Sequence, residues 1–251
     1  VMDHQEKKEL QRKFINPELC DITEALVYTE PYNDELKRNH VFPPIAEFVK
    51  ETLYDDQELH CEVAKLKMDF MTRAQSLIHG DLHTGSVFIN EESTKVFDPE
   101  FCFYGPMGYD IGNVIANMIF AWANGDAAGA DEFCSWAESV LVDVINMTKE
   151  KMEKYYEEHV TDTMCKNELY RKYYMATIIE DTSAVTGLEL IRRIVGMANV
   201  KDITSIEDEA KRARAEKICI TAAVDFIKNR GDKKCGKCFL GTLKDAIAKV
   251  D

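Results

Sequence analysis

The sequence predicts a mostly helical fold with one small β-hairpin region. Apolar residues recur at helical spacing in long stretches, for example at Leu59, Val63 and Phe70. Proline, which disrupts the interior of a helix, does not occur after Pro106. A single segment, residues 87–97, carries two β-prone runs around a polar turn. With 45% hydrophobic residues among 251, the chain has the composition of a globular protein.

The helices follow from start signals and apolar spacing. Asn16 is a candidate N-cap, and Pro17 after it suits the first position of a helix that runs to about Val27. The pair Pro43–Pro44 opens another helix. The loop at 231–236 is the one obvious interruption of helix in the C-terminal part of the chain. Further helices are predicted over residues 58–75, from about 110, and over 129–158, 166–186, 188–198, 207–229 and 240–249.

The hairpin is predicted where helical spacing stops, after Gln75. Two short runs rich in β-formers, Val87–Ile89 and Lys95–Phe97, flank the polar turn Glu91–Ser93. This segment is also where the polar motifs of the sequence cluster.

The charge of the chain argues against two classes of partner. The net charge is −14, from 31 basic and 45 acidic residues. Broad electrostatic binding to nucleic acid or to an anionic membrane is therefore not expected. The longest apolar stretch, residues 114–123, is too short to span a bilayer. A local phosphate site stays open, because a metal ion or a few arginines reverse the potential within one cleft.

The cysteines favour a cytoplasmic protein. Eight of them are spread along the chain, and no secretory signal is recognisable in the first residues. In a chain of this size we expect free thiols in a reducing cytoplasm. Cys235 and Cys238 form a single CxxC with neither a second pair nor a nearby His, so a metal or redox role is the less favoured interpretation.

Asp81 is the first candidate for chemistry. It follows His79 and Gly80, between an apolar run and the hairpin. Gly80 and Gly85 allow a tight loop whose backbone approaches a ligand. An Asp in such a loop can accept the proton of a substrate hydroxyl.

Asp98 and Glu100 are the second candidate, placed just after the hairpin. In an extended chain, side chains two residues apart leave the same face. Mg²⁺ prefers few protein carboxylates and keeps its other positions for water and substrate phosphate. The two acids therefore predict a magnesium site.

Together these motifs resemble the 5-methylthioribose kinases, small-molecule kinases related to the aminoglycoside and choline kinases. The resemblance rests on "HGDLHTGS" (79–86) and "DPEFCFYGPMGYDIG" (98–112), and "FINPELCDITE" (14–24) and "GLELIRRIVGMANV" (187–200) extend it. It runs from about residue 2 to about 230. Relatives in the wider group carry Asn where this chain has Ser86, and protein kinases carry Asp-Phe-Gly where it has Asp-Pro-Glu. Both departures belong to the methylthioribose kinase pattern.

The resemblance assigns roles to individual residues. It implies that Asp81 binds the sugar hydroxyl and takes its proton, and that Asp98 and Glu100 bind Mg²⁺. Arg192 and Arg193 match the paired arginines that face the substrate in this family.

Three further residues have supporting roles in this comparison. His79 braces the loop. Asp110 matches a buried Asp that holds the same loop, although a plain helix N-cap explains it equally well. The role of Ser86 stays open, because a hydroxyl is a weaker metal ligand than the amide of the relatives.

The resemblance implies ATP and Mg²⁺ as cofactors and 5-methylthioribose as the small-molecule substrate, phosphorylated at its 1-hydroxyl in methionine salvage. A homodimer is suggested by the family alone. Two alternatives stay open, namely a kinase for another small molecule, such as an amino sugar or choline, and a kinase-like lobe that binds without turnover.

The resemblance also predicts the place of this chain in a two-lobed kinase. The sequence contains neither the Gly-rich phosphate loop nor a strand-rich segment before the helices. Residues 1–251 are therefore expected to form the helical C-terminal lobe of a protein-kinase-like α+β fold, with the catalytic and metal loops at about 76–110. We expect this lobe to be inactive without an N-terminal ATP-binding lobe.

Overall fold

The computed structural model describes residues 4–251, and most of them lie in helices. This confirms the predicted fold class. The helices are α1 (His4–Lys13), α2 (Pro17–Tyr28), α3 (Ala46–Val49), α4 (Gln57–Thr72), α5 (Gly108–Ala128), α6 (Asp131–His159), α7 (Glu168–Val195), α8 (Lys201–Thr204), α9 (Glu209–Lys228) and α10 (Gly236–Val250). The strands are β1 (Ser76–Ile78), β2 (Val87–Ile89), β3 (Thr94–Val96) and β4 (Phe103–Gly105).

Helix α7 lies at the centre of the core. It packs against α5 and α9, and α10 packs against α9 and α6. Phe120, Ile191, Phe226 and Phe239, from four different helices, are fully buried in this core. Each such side chain contributes about 1.5–3 kcal/mol through its removal from water. No helix within residues 4–251 combines the length and the apolar character that crossing a membrane requires.

Helix α7 corrects the prediction of two helices, over 166–186 and 188–198. It is one continuous helix, and Gly187 lies inside it. A Cβ atom at this position would lie 2.5 Å from the carbonyl oxygen of Ala223 in α9. The glycine therefore permits close packing of α7 on α9, and it does not mark a helix end.

Two other segments differ from the sequence prediction in their detail. The pair Pro43–Pro44 opens a 3₁₀ turn (Pro43–Ile45), which continues into the short α3 and a π-helical turn (Lys50–Tyr54). Helix α10 begins at Gly236 rather than at residue 240.

Two small antiparallel strand pairs lie between α4 and α5 in the chain. The predicted hairpin is confirmed as β2 and β3, with Phe88 opposite Lys95. The second pair, β1 and β4, with Leu77 opposite Tyr104, was not predicted. The connections between the strands form two loops, which we call the HGD loop (79–86, between β1 and β2) and the DPE loop (97–102, between β3 and β4). The HGD loop and the DPE loop, which carry the two acidic motifs, lie next to each other.

Candidate active site

The HGD loop and the DPE loop pack directly against each other. Gly80 has φ +84, in the left-handed region, and a Cβ atom there would lie 2.3 Å from the carbonyl oxygen of Phe101. Any side chain at this position would push the two loops apart.

The His79 ring forms a second link between the loops. Its Nε2 lies 2.9 Å from the carbonyl oxygen of Phe97, next to Asp98. A carbonyl only accepts, so we assign the proton to Nε2. Nδ1 is then free to accept from the backbone N–H of Asp81, at 3.4 Å. The contacts place His79 between Asp81 and the DPE loop.

Asp110 ties the HGD loop to the helical core. Its carboxylate accepts hydrogen bonds from the backbone N–H groups of His79, at 2.7 Å, and Gly80, at 2.9 Å. Burial raises the pKa of Asp110, and the two N–H donors counteract part of that effect. The N-cap position of α5 is occupied by Met107, so the plain N-cap interpretation of Asp110 is wrong.

The Asp81 carboxylate faces positive charge. Its Oδ1 lies 3.5 Å from Arg192 Nη2 and 3.6 Å from Arg193 Nη2, and its Oδ2 lies 3.9 Å from His83 Nε2. The side chain is 23% exposed, so a small molecule can reach it.

Both arginines are also paired with a buried acid, Glu189. Its Oε1 lies 2.7 Å from Arg193 Nε and its Oε2 lies 3.3 Å from Arg192 Nη1. Burial by itself would lower the pKa of Arg192, but Glu189 leads the negative groups that raise it.

Glu189 explains why both neighbouring arginines are shielded from solvent. Adjacent helix residues point about 100° apart, so one of two neighbouring arginines is expected on the surface. Arg192 and Arg193 are only 15% and 19% exposed, because Glu189 lies three and four residues before them and draws both to one side of α7.

The acids of the DPE loop, Asp98 and Glu100, are exposed. Strand β3 ends at Val96 and Asp98 has φ +65, so the extended geometry assumed for Asp98 and Glu100 is not present. Neither carboxylate makes a hydrogen bond or ion pair with another residue of the described 4–251. Within that range no three such side chains form a preformed metal cluster. Two free carboxylates fit Mg²⁺, which takes its remaining ligands from water and phosphate.

Ser86 contacts the HGD loop rather than the DPE loop through its side chain. The residue is buried, and its hydroxyl lies 3.3 Å from His83 Nε2. Its backbone carbonyl accepts from the N–H of Phe97, at 3.1 Å. These contacts assign Ser86 a place in the architecture of the HGD loop.

Two residues at this site were missed from the sequence. Glu189 gave a signal in the spacing E-x-x-R-R, which places an acid one helical turn before both arginines. Asn16 occupies the N-cap position of α2, as predicted, but its side chain makes no cap bond, and its role in the DPE loop was not predicted. Its amide instead donates to the carbonyl oxygens of Glu100, at 2.8 Å, and Cys102, at 3.2 Å, and so supports the DPE loop.

Comparisons with known proteins identify the family of the chain. Residues 11–140, slightly more than half of the chain, match the phosphotransferase enzyme family. Methylthioribose kinase 1 of Oryza sativa subsp. japonica is 36% identical over 247 residues, covering 91% of this chain and 56% of the relative. The methylthioribose kinase of Geobacillus thermodenitrificans is 37% identical over 236 residues, covering 92% and 57%. That of Erwinia tasmaniensis is 39% identical over 228 residues, covering 89% and 56%.

These relatives confirm the resemblance carried by the motifs. The chain spans just over half of the length of the curated relatives it matches. The family match includes both the HGD loop and the DPE loop. The chain belongs to the phosphotransferase enzyme family.

Proposed function

We propose that the protein containing this chain transfers the γ-phosphoryl group of ATP to the 1-hydroxyl of 5-methylthioribose, as a cytoplasmic step of methionine salvage. The observation that carries the proposal is the placement of Asp81 in a loop fixed from both sides and faced by two arginines. The acceptor is taken from the names of the relatives, which are methylthioribose kinases.

Asp81 orients the acceptor hydroxyl and takes its proton. The hydroxyl oxygen forms the bond to the γ-phosphorus, the bond from that phosphorus to the ADP oxygen breaks, and the proton passes to the Asp81 carboxylate late in the transfer. The hydrogen bonds to Asp110 and Phe97 hold the loop in place while this happens. Such fixed positioning is the main protein contribution in phosphoryl transfer.

The arginine pair makes the site positive when Asp81 takes the proton of the sugar hydroxyl. Asp81, Glu189, Arg192 and Arg193 carry two negative and two positive charges, so the cluster is neutral before reaction. When Asp81 takes the proton, the cluster becomes net positive. A positive site then faces the sugar as it gains its anionic phosphate, which stabilises the product side of the transfer.

Asp98 and Glu100 would hold Mg²⁺ in this proposal. When bound, Mg²⁺ would neutralise negative charge on the ATP phosphates. The contribution of the chain is to keep both carboxylates free and to support their loop from Asn16.

We propose that residues 1–251 form the helical lobe of a kinase-like fold. They contain no Gly-rich phosphate loop. We therefore propose that elements outside these residues cover the nucleotide phosphates, and that the lobe alone does not turn over.

The test is ADP release by the protein as it is encoded, with Mg²⁺, ATP and one acceptor at a time. We expect kcat/KM to be highest for 5-methylthioribose, compared with ribose, choline and an amino sugar. Asp81→Asn keeps the size of the side chain but removes the carboxylate base, so turnover should fall by roughly 10²–10⁴-fold. Sugar binding should change little, because the amide can still contact the hydroxyl. The melting temperature should change little, because Asp81 lies in a loop and its side chain is 23% exposed.

The outcomes separate the open alternatives. A higher kcat/KM for choline or an amino sugar would replace the proposed acceptor and keep the kinase. Sugar binding without ADP release in the encoded protein would favour a non-catalytic binding lobe. Unchanged turnover in Asp81→Asn would remove the mechanism.

A further inference from the structure

Cys235 and Cys238 lie side by side at the start of α10. In the sequence they come more than 40 residues after Arg193, the last residue of the candidate active site. Their Sγ atoms are 3.1 Å apart. Both side chains are partly exposed, so small reagents can reach them. Of the eight cysteines, all of which fall in the described range, these two form the one pair with sulfur atoms in contact.

The backbone explains why the two thiols meet. Cys235 is the N-cap residue of α10, and Cys238 is the third residue of its first turn. These are the two positions that a capping box brings together, because the side chain of each reaches the backbone of the other. The N–H of Gly236, between them, donates to Asn146 Oδ1 in α6 at 3.0 Å, which anchors this turn to the helical core.

The surroundings favour a thiolate at Cys238. The hydrogen bond from Cys235 is the main cause that lowers the pKa of Cys238, and the positive charge of Lys233 adds to it. A helix N-terminus acts in the same direction. Burial acts against the thiolate at Cys238 as well, but there it is outweighed. At Cys20 burial raises the pKa to about 11, and it also raises the pKa values of Cys134 and Cys219.

A metal is not the expected occupant of this pair. Among residues 4–251, no third Cys, His, Asp or Glu joins the two thiols to complete a metal cluster. Two adjacent thiols without further ligands are suited to two-electron chemistry between themselves.

We propose that Cys235 and Cys238 form a reversible dithiol–disulfide site that reacts with low-molecular-weight disulfides of the glutathione class. The sulfur atoms must close from 3.1 Å to about 2.05 Å, which side-chain rotation can supply without opening the turn.

The reaction proceeds by two exchanges. The Cys238 thiolate attacks one sulfur of the small disulfide, so that a Cys238–small-thiol bond forms and the original S–S bond breaks. The Cys235 thiolate then attacks the Cys238 sulfur, which forms the Cys235–Cys238 bond and releases the second small thiolate. The two protons lost by the cysteines end on the two released thiols. The protein pair loses two electrons and the small disulfide gains them.

The site can be tested on the wild-type protein as it is encoded, so that no variant has to fold. The protein is equilibrated in buffers of reduced and oxidised glutathione, its free thiols are blocked with iodoacetamide, and its peptides are weighed by mass spectrometry. We expect Cys235 and Cys238 to become protected together, with the loss of two hydrogens from the peptide that holds both. Cys61, an exposed thiol without a cysteine partner, should carry only mixed disulfide.

Two variants test the order of the steps. In Cys235→Ser, Cys238 should stop at the mixed disulfide with glutathione, because the second attack is missing. In Cys238→Ser, Cys235 should react with oxidised glutathione more slowly than Cys238 does in the wild-type protein, because the thiol that makes the first attack is missing. If Cys235 and Cys238 in the wild-type protein stay open to iodoacetamide, or are glutathionylated independently as Cys61 is, the proposal is overturned.

Discussion

Glu189 shows how a single buried residue sets the geometry around Asp81. It is 1% exposed and pairs with both arginines that face the Asp81 carboxylate. Glu189→Gln keeps the shape but removes the charge, so the arginines lose the partner that draws them to one side of α7. We expect kcat/KM for the sugar to fall by roughly 10²-fold, as for other displaced positioning groups. The KM for ATP should stay unchanged, and steady-state kinetics with each substrate measures both.

Glu216 provides a matched control for this positioning role. It is also 1% exposed, and it pairs with Arg212 Nε at 2.8 Å, at the same four-residue spacing. Glu216→Gln should lose comparable stability and leave the kinetics of both substrates unchanged. Equal kinetic losses in the two variants would mean that Glu189 acts only on stability.

Asp98 and Glu100 allow a separate test through the metal. Alanine at either position removes one oxygen ligand, so the magnesium concentration for half-maximal rate should rise and most activity should be lost. Glu92→Ala, which removes an exposed acid from the β2–β3 turn, is the control and should leave the magnesium dependence unchanged. A variant of Asp98 or Glu100 with a normal magnesium dependence would exclude that residue as a ligand.

At the scale of elements, the packing of α7 on α9 depends on Gly187. An added Cβ would lie 2.5 Å from the carbonyl oxygen of Ala223, which is backbone and cannot rotate away. We expect Gly187→Ala to lower the free energy of unfolding by about 1–3 kcal/mol, the usual cost of overpacking a core. Urea unfolding measures this change.

Gly241 is the matched control inside another helix. Nothing lies within 4 Å of a Cβ built at this position of α10. Alanine there should stabilise the protein by up to about 1 kcal/mol, through helix propensity alone. If Gly187→Ala proves equally harmless, the close approach of α7 to α9 is not required for stability.

The same elements show what could be predicted from the sequence. The long helices were found because their apolar spacing is regular over many residues. Strands β1 and β4 were missed because they pair across residues 79–102 with no turn directly between them, whereas β2 and β3, equally short, flank the polar turn Glu91–Ser93. Gly187 was interpreted as a break because glycine serves both helix ends and close contacts, and only the neighbouring α9 decides between them. Asp81, Asp98 and Glu100 stood out as motifs, whereas the support from Asn16 crosses more than 80 residues of sequence.

For the whole molecule, Asp181 makes stability depend on pH. It is 7% exposed and accepts a hydrogen bond from Arg73 Nη1 at 2.5 Å. Burial raises the pKa of Asp181 to about 6, against the opposite effect of Arg73. An unfolded Asp titrates at about 3.9. The folded state therefore binds more protons between about pH 4 and pH 6, so this stabilising contribution is complete below about pH 4 and lost as the pH rises through 6.

The expected size follows from the shift. One pKa unit corresponds to about 1.4 kcal/mol, so the contribution is on the order of 3 kcal/mol. As the pH falls from about 6.5 to about 4, the free energy of unfolding of the wild-type protein should rise relative to that of Asp181→Asn, by on the order of 3 kcal/mol. Asp143→Asn, at an exposed position, makes the same charge change as a control. Parallel pH profiles for wild type and Asp181→Asn, measured by urea unfolding, would contradict the prediction.

The two bonds from the HGD loop to Asp110 also bear on hydrogen exchange. The N–H groups of His79 and Gly80 belong to a loop, yet both are held by a carboxylate in the first turn of α5. They can exchange with solvent only when the loop separates from that helix, so their protection should follow that of α5. The N–H groups of Glu92 and Ser93, bound to the exposed Asn90, need only a local opening of the turn. We therefore expect the N–H groups of His79 and Gly80 to exchange at rates closer to those of α5 than to those of the β2–β3 turn, which amide hydrogen exchange measures.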